Sequence, residues 1–102
     1  TEVIGYLNAI LEKERDANCI LNCLYGKYSY GERAVLEEIL NYIKNTDYHI
    51  RCSVLSIIEL ILEEESCTKE CKRKIKITLT ELLKREKTNA VKERAEEIMR
   101  WL

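Results

Sequence analysis

The segment IRCSVLSIIELIL, at residues 50–62, predicts the most buried helix of the protein. Its apolar residues cover much of the circumference of a helical wheel, which is typical of a helix that packs on several sides. The turn Asn45-Thr46-Asp47 precedes it, and the side chain of Asp47 is suited to capping a helix N-terminus. Only residues 74–79 alternate with the period of a β-strand, and helical spacing continues through them. We therefore expect an all-α fold.

Apolar residues at helical spacing predict five further short helices around this segment. Their expected first residues or N-caps are Thr1, Asp16, Glu32, Ser66 and either Thr88 or Asn89. The glycines and the serine in residues 26–31 predict a loop between the second and third helices. About six short antiparallel helices, stacked as helical hairpins in a single domain over residues 1–102, are the expected architecture.

The opening of the buried helix is repeated near the end of the chain. The nine residues VKERAEEIM, at 91–99, match IRCSVLSII, at 50–58, at an offset of 41 residues. A pair of helices cannot bury both of its faces alone, so such pairs stack on one another. The match divides the chain into helix pairs at about residues 32–65 and 66–102. The first two helices form either a third, degenerate unit or a cap.

This pattern resembles the HEAT/ARM class of helical repeats, whose second helix often begins with Val, then Arg or Lys, then Ala three positions later. Val91, Lys92 and Ala95 fit that motif. The resemblance implies a right-handed superhelix of stacked helix pairs. The last three helices also resemble the N-terminal helical domain of transcription elongation factor S-II and its relatives, on Ala95 and Trp101. That second resemblance implies a nuclear module that grips short peptides.

Charge is distributed unevenly along the chain. Residues 1–65 carry a net charge of −6 and residues 66–102 carry +5, although the total is only −1. A basic second half suggests an acidic partner, whereas two ends of a stack that neutralise each other would produce the same pattern. No apolar run approaches the roughly 18 residues of a membrane span. No signal peptide is visible, and five cysteines without disulfide-like spacing favour a cytoplasmic or nuclear protein.

The densest basic cluster predicts a binding surface on the fifth helix. With Cys71, Ile75 and Leu79 facing inward, basic side chains form an exposed stripe. The predicted contact residues on it are Lys69, Lys72, Arg73 and Lys76. They could contact an acidic peptide or protein, or nucleic acid, or form an ordinary solvated face. An isoelectric point near 5.9 and the lack of interleaved aromatic residues favour a protein partner over nucleic acid.

Aromatic residues provide the remaining candidate contacts. Tyr28 and Tyr30 lie in the predicted loop, where they would either bind a partner or cover the core. Trp101 falls on a flank of the last helix, because Val91, Ala95 and Ile98 occupy the inward positions. This position suggests contact with a partner or a further helix.

Catalytic and metal-binding chemistry is poorly represented. The pairs Cys19/Cys23 and Cys67/Cys71 could enclose zinc if their helices faced each other, but core thiols are the preferred interpretation. His49, the only histidine, is expected at the surface or in a cap. We expect neither a cofactor nor a resident metal. The sequence predicts a non-catalytic protein–protein interaction module or scaffold segment, with a nucleic-acid-associated factor of the transcription elongation type as the alternative.

Overall fold

The computed structural model describes residues 2–102, and among them it contains six α-helices and no β-strand. The helices are α1 (Glu2–Lys13), α2 (Ala17–Ser29), α3 (Leu36–Asn41), α4 (Tyr48–Glu63), α5 (Lys69–Arg85) and α6 (Asn89–Met99). Two 3-10 helices, Arg33–Val35 and Tyr42–Lys44, flank α3. The predicted all-α fold is confirmed.

The helices form a flat body whose Cα atoms span 39 × 30 × 16 Å. The 16 Å dimension corresponds to two layers of helices, because packed helix axes lie about 8–10 Å apart. Within this body α4 contacts both α2 and α6, so these three helices lie side by side. In the other layer α5 packs against the 3-10 helix Tyr42–Lys44. The two layers meet where α1 contacts α2 and α5 contacts α6. Successive helix pairs therefore contact one another through α2, α4 and α6.

The core is centred on α4, as the sequence predicts. This helix contributes six buried side chains, more than any other helix. Val54, Leu55, Ile58 and Ile61 are fully inaccessible to solvent. By contrast, α1 contributes no buried residue, because it packs mainly against one helix, α2, and its apolar side chains stay partly exposed.

Two predicted boundaries are corrected. Residues 26–29 belong to α2 and not to a loop. Gly26 lies where α1 and α2 approach closely, because a Cβ atom at this position would lie only 3.1 Å from Cδ1 of Leu7. The cap of α5 is Thr68, whose Oγ1 accepts a hydrogen bond from the Cys71 amide at 3.0 Å. The predicted cap, Ser66, instead accepts a hydrogen bond from Arg33.

The same local contact recurs in the turns before α2, α4 and α6. In each turn, the side chain two positions before the N-cap accepts a hydrogen bond from the amide of the N-cap residue. The three contacts are Asp16 N to Glu14 Oε1 at 3.0 Å, Asp47 N to Asn45 Oδ1 at 2.9 Å and Thr88 N to Glu86 Oε1 at 3.2 Å. The same hydrogen bond from the N-cap amide to a side chain therefore precedes three helices, although the three turn sequences share little.

An ion pair joins two of these turns. The Arg51 guanidinium donates to both carboxylate oxygens of Glu86, at 2.7 and 2.8 Å, and to the carbonyl oxygens of Asn45 and Thr46. The side chains of Arg51 and Glu86 are only 14% and 3% exposed. Arg51 therefore ties the start of α4 to the turn that precedes α6.

Replacement of glycine by alanine is expected to have opposite effects on stability at two positions, Gly31 and Gly5. Gly31 has φ of 105°, so Gly31→Ala is expected to lower the free energy of unfolding by about 1–2 kcal/mol. Gly5 lies within α1 and has open space around it, so Gly5→Ala should raise stability by about 0.5–1 kcal/mol. Chemical denaturation of the two variants measures both changes. A stabilising Gly31→Ala variant would contradict the turn geometry.

Candidate interaction cleft

A cleft of about 470 Å³ lies between the end of α4, the first turns of α5 and the end of α6. It contains two of the residues predicted from the sequence, Lys72 and Trp101. The full lining is Glu59, Leu62, Glu63, Lys72, Arg94, Glu97, Ile98 and Trp101. The cleft therefore combines apolar surface with carboxylates and a lysine.

Trp101 is the most exposed large apolar side chain in the described chain, at 81%. The cause is its position just beyond α6, where its amide donates to the Ile98 carbonyl and extends the helical turn. Because Val91, Ala95 and Ile98 point into the core, the turn directs Trp101 to the flank that borders α4. An indole in this position offers a partner a large apolar surface and one hydrogen-bond donor.

One wall of the cleft is held rigid by Arg94. Its guanidinium donates to Glu59 at 2.5 Å, to Ser56 Oγ at 3.0 Å and to the Cys52 carbonyl at 3.4 Å. These contacts fix α6 against α4 and neutralise Glu59. The charged groups of the cleft that lack an ion-pair partner within residues 2–102 are Glu63, Glu97 and Lys72.

The structure divides the predicted basic stripe of α5. Lys69, Lys72 and Lys76 are exposed, and none has an ion-pair partner in the described part of the chain. Arg73 binds Glu70 on the same helix, with nitrogen–oxygen distances of 2.5 and 3.0 Å. It also borders a different groove, on the side of α5 that faces Tyr42–Lys44. Of these residues only Lys72 lines the cleft with Trp101. Lys69 and Lys76 lie three and four positions from Lys72, on the same face of α5.

The two predicted tyrosines have different positions. Tyr28 is 3% exposed and belongs to the core, so it takes the second of the two roles that the sequence leaves open, and little of its surface is accessible to a partner. Because α2 continues through residue 28, Tyr28 falls on the inward face with Leu21 and Leu24. Its hydroxyl lies 3.6 Å from Cys71 Sγ, and burial, followed by this contact, raises the pKa of Tyr28 to about 12. Tyr30 is 58% exposed at the turn after α2 and does not line the cleft.

The cysteines and the histidine do not assemble into a site. All five cysteines are free thiols, and no three potential metal ligands from residues 2–102 lie close enough to share an ion. Burial and then the Cys71 thiol raise the pKa of Cys67 to about 11, so this thiol is protonated at neutral pH. His49 is exposed and its Nδ1 lies 3.1 Å from Asp47, in the cap of α4.

The contacts that form the cleft walls could not be predicted from the sequence. The Arg94–Glu59 pair depends on how α6 is rotated against α4, which residue spacing within either helix does not specify. Ile77 is another missed feature, because it is 51% exposed on α5. The available signal was its helical position, two residues from both Ile75 and Leu79 and so on the face opposite the buried stripe.

Comparisons of the chain with protein-family models, with curated proteins and with solved structures return no match. Within the described residues, no helix combines the length and apolar character that crossing a lipid bilayer requires. The function is therefore inferred from the geometry of the cleft and its surroundings.

Proposed function

We propose that this chain is a non-catalytic protein-interaction module that binds a short segment of another protein at the α4–α5–α6 cleft. The observation that carries the proposal is the shared position of Lys72 and Trp101 in one concave surface. An exposed tryptophan beside a cleft is the kind of residue that dominates binding energy at protein interfaces. A lysine without an intramolecular partner remains available to a carboxylate of the bound segment.

The lining indicates what the bound segment would contain. An apolar side chain would pack on Trp101, Leu62 and Ile98. Acidic side chains would follow the stripe of Lys69, Lys72 and Lys76, where electrostatic attraction favours approach and orientation. Glu63 and Glu97 would repel acidic groups on the far side of the cleft. The segment should therefore carry its acidic residues to one side of its apolar residue.

We also propose that the module is a stack of HEAT-like helical hairpins that supports this cleft. This architecture is supported by the three equivalent turns, by the row of α2, α4 and α6, and by Arg51, which bridges consecutive hairpins.

Free thiols at all five cysteines favour a reducing compartment, such as the cytoplasm or nucleus.

Selection from a displayed library of random dodecapeptides tests this function. We expect the immobilised protein to enrich peptides in which aspartate or glutamate flanks an apolar residue. Lys72→Glu/Lys76→Glu should abolish that enrichment, since it reverses the potential beside the cleft. Trp101→Ala should weaken the selected peptides by at least about tenfold, because truncating a central aromatic contact typically costs more than 1.4 kcal/mol.

Lys13→Glu/Arg15→Glu is the matched control, because it makes the same change in net charge on exposed residues at the other end of the protein. The control should retain the selected peptides. Equal enrichment by the wild type and the Lys72→Glu/Lys76→Glu variant would contradict the proposed surface. Salt-sensitive RNA binding, with no peptide enriched, would favour a nucleic-acid-associated factor instead.

A further inference from the structure

A second concave surface lies on the opposite flank of α5, where the turns at residues 44–47 and 85–88 meet. It is a depression of about 260 Å³ with four cationic side chains in its lining. These are Lys44, Arg51, Arg85 and Lys87, and the remaining lining residues are Ile43, Asn45, Thr46, Glu86 and Thr88. With four cations around one carboxylate, the lining of this depression is more positive than that of the α4–α5–α6 cleft, which has two cations and three carboxylates.

The charges in this depression do not cancel. Glu86 is its only acidic residue, and Arg51 binds both of the Glu86 carboxylate oxygens. Lys44, Arg85 and Lys87 are exposed and have no ion-pair partner among residues 2–102. Three uncompensated cations from two separate turns therefore surround one small volume, and the Arg51–Glu86 pair holds those turns together.

Hydrogen-bond donors complete the lining. The hydroxyls of Thr46 and Thr88 border the depression. Thr88 is the N-cap of α6, and its side chain makes no capping hydrogen bond. Hydroxyls, guanidinium groups and ammonium groups together are the donors that recognise phosphate oxygens.

An apolar groove continues from this depression along α5. The groove has a volume of about 440 Å³ and shares Ile43, Lys44 and Arg85 with the depression. Leu40 and Ile77 also line it, and Ile77 is 51% exposed. Its other charged residues include the ion pair Lys74–Glu37, so its uncompensated positive charge is concentrated at the end shared with the depression.

The lining of the depression and the groove favours a phosphorylated side chain over single-stranded nucleic acid. Binding of single-stranded nucleic acid generally uses aromatic side chains on which bases stack. No aromatic residue lines the depression or the groove. The apolar groove suits aliphatic side chains that follow a phosphorylated residue, and a small depression suits one dianionic group better than a continuous backbone of phosphates.

We propose that the depression between the two turns binds a phosphorylated serine or threonine of a partner protein, with the following apolar residues lying in the groove beside Ile77. The phosphate contacts Lys44, Arg85 and Lys87, which supply charge-assisted hydrogen bonds to its oxygens. This site is separate from the α4–α5–α6 cleft, and its existence does not depend on peptide binding there.

The test uses fluorescently labelled dodecapeptide libraries with a fixed central phosphoserine and two leucines or isoleucines after it. The unphosphorylated library of the same design serves as the paired probe. We expect the purified full chain to bind the phosphorylated library at least tenfold more tightly, and inorganic phosphate to compete. Lys44→Gln/Arg85→Gln/Lys87→Gln should remove this preference while the circular dichroism spectrum stays helical.

Lys13→Gln/Arg15→Gln/Arg100→Gln is the control, because it removes the same number of positive charges from exposed side chains that line neither the depression nor the groove. It should keep the preference for phosphorylated peptides. None of the six substituted residues lines the α4–α5–α6 cleft, so the outcome here is independent of the outcome for the cleft. Equal binding of the two libraries would overturn the proposal. Retention of the preference in the Lys44/Arg85/Lys87 variant, or tighter binding of a single-stranded RNA oligonucleotide than of the phosphopeptides, would also overturn it.

Discussion

Replacing Glu86 with alanine is expected to lower the free energy of unfolding by about 3 kcal/mol. The substitution leaves the Arg51 guanidinium, which is 14% exposed, without the carboxylate that binds it. Removing one partner of a buried ion pair typically costs about 3–5 kcal/mol, because the remaining charge is uncompensated. For a domain of this size the loss corresponds to a decrease in Tm of roughly 12–24 °C, measured by thermal denaturation.

The pair formed by Glu70 and Arg73 supplies the control. It has a similar two-bonded geometry, but its side chains are 58% and 60% exposed. Solvent screens such a pair, so Glu70→Ala should leave Tm nearly unchanged. Equal decreases in Tm for Glu86→Ala and Glu70→Ala would contradict the importance of burial at the Arg51–Glu86 pair.

The Glu86 pair also predicts the pH dependence of stability. Burial acts to raise the pKa of Glu86, but the hydrogen bonds from Arg51 and from the Thr88 amide hold it below its usual value of 4.5. A carboxyl group with a lowered pKa stabilises the folded state above the unfolded pKa, and this contribution disappears as pH falls through the folded pKa. Below pH 4.5 the wild type should therefore lose stability more steeply than Glu86→Ala, as chemical denaturation at several pH values would show.

Leu55→Ala is expected to destabilise the protein by about 3–4 kcal/mol. Leu55 is fully buried on the central helix α4, so truncation removes apolar contacts and leaves a cavity that helices on both sides cannot easily fill. Equilibrium unfolding in urea measures the change. A helix that packs on two neighbours has less freedom to collapse into a cavity than a peripheral helix has.

Leu60 on the same helix is the matched control, because it is the same residue type at 45% exposure. Leu60→Ala should change the free energy of unfolding by less than about 1 kcal/mol, as is usual for substitutions away from the core. If both leucines gave the same loss, the assignment of one face of α4 to the core and the other to solvent would be wrong.

The helices could be predicted because their signals are local. Apolar spacing and the cap at Asp47 specify α4 within the sequence itself, and the structure begins this helix at Tyr48. Gly26 failed as a loop signal because its missing Cβ serves packing against Leu7 and not a turn. The difference between these two uses of glycine depends on a second helix, which local reasoning does not include.

The candidate surfaces were predictable only in part, for the same physical reason. Helical spacing correctly placed Lys72 and Trp101 at the surface, but it did not place them in one cleft. The depression between the two turns joins Lys44 to Lys87 across 43 positions of sequence, so no local pattern indicates it. Which exposed charges remain uncompensated depends on contacts between helices, such as Lys74 with Glu37.

Fluorescence of Trp101 is the most direct test of the proposed binding cleft, because this residue is the only tryptophan in the protein. A peptide selected on the wild type is titrated in while the emission spectrum and quenching by acrylamide are recorded. We expect a blue shift and reduced quenching as the bound peptide covers the indole, with neither change in the Lys72→Glu/Lys76→Glu variant. Binding of the peptide with unchanged emission and unchanged quenching would contradict the proposed cleft, since the peptide would then lie away from Trp101.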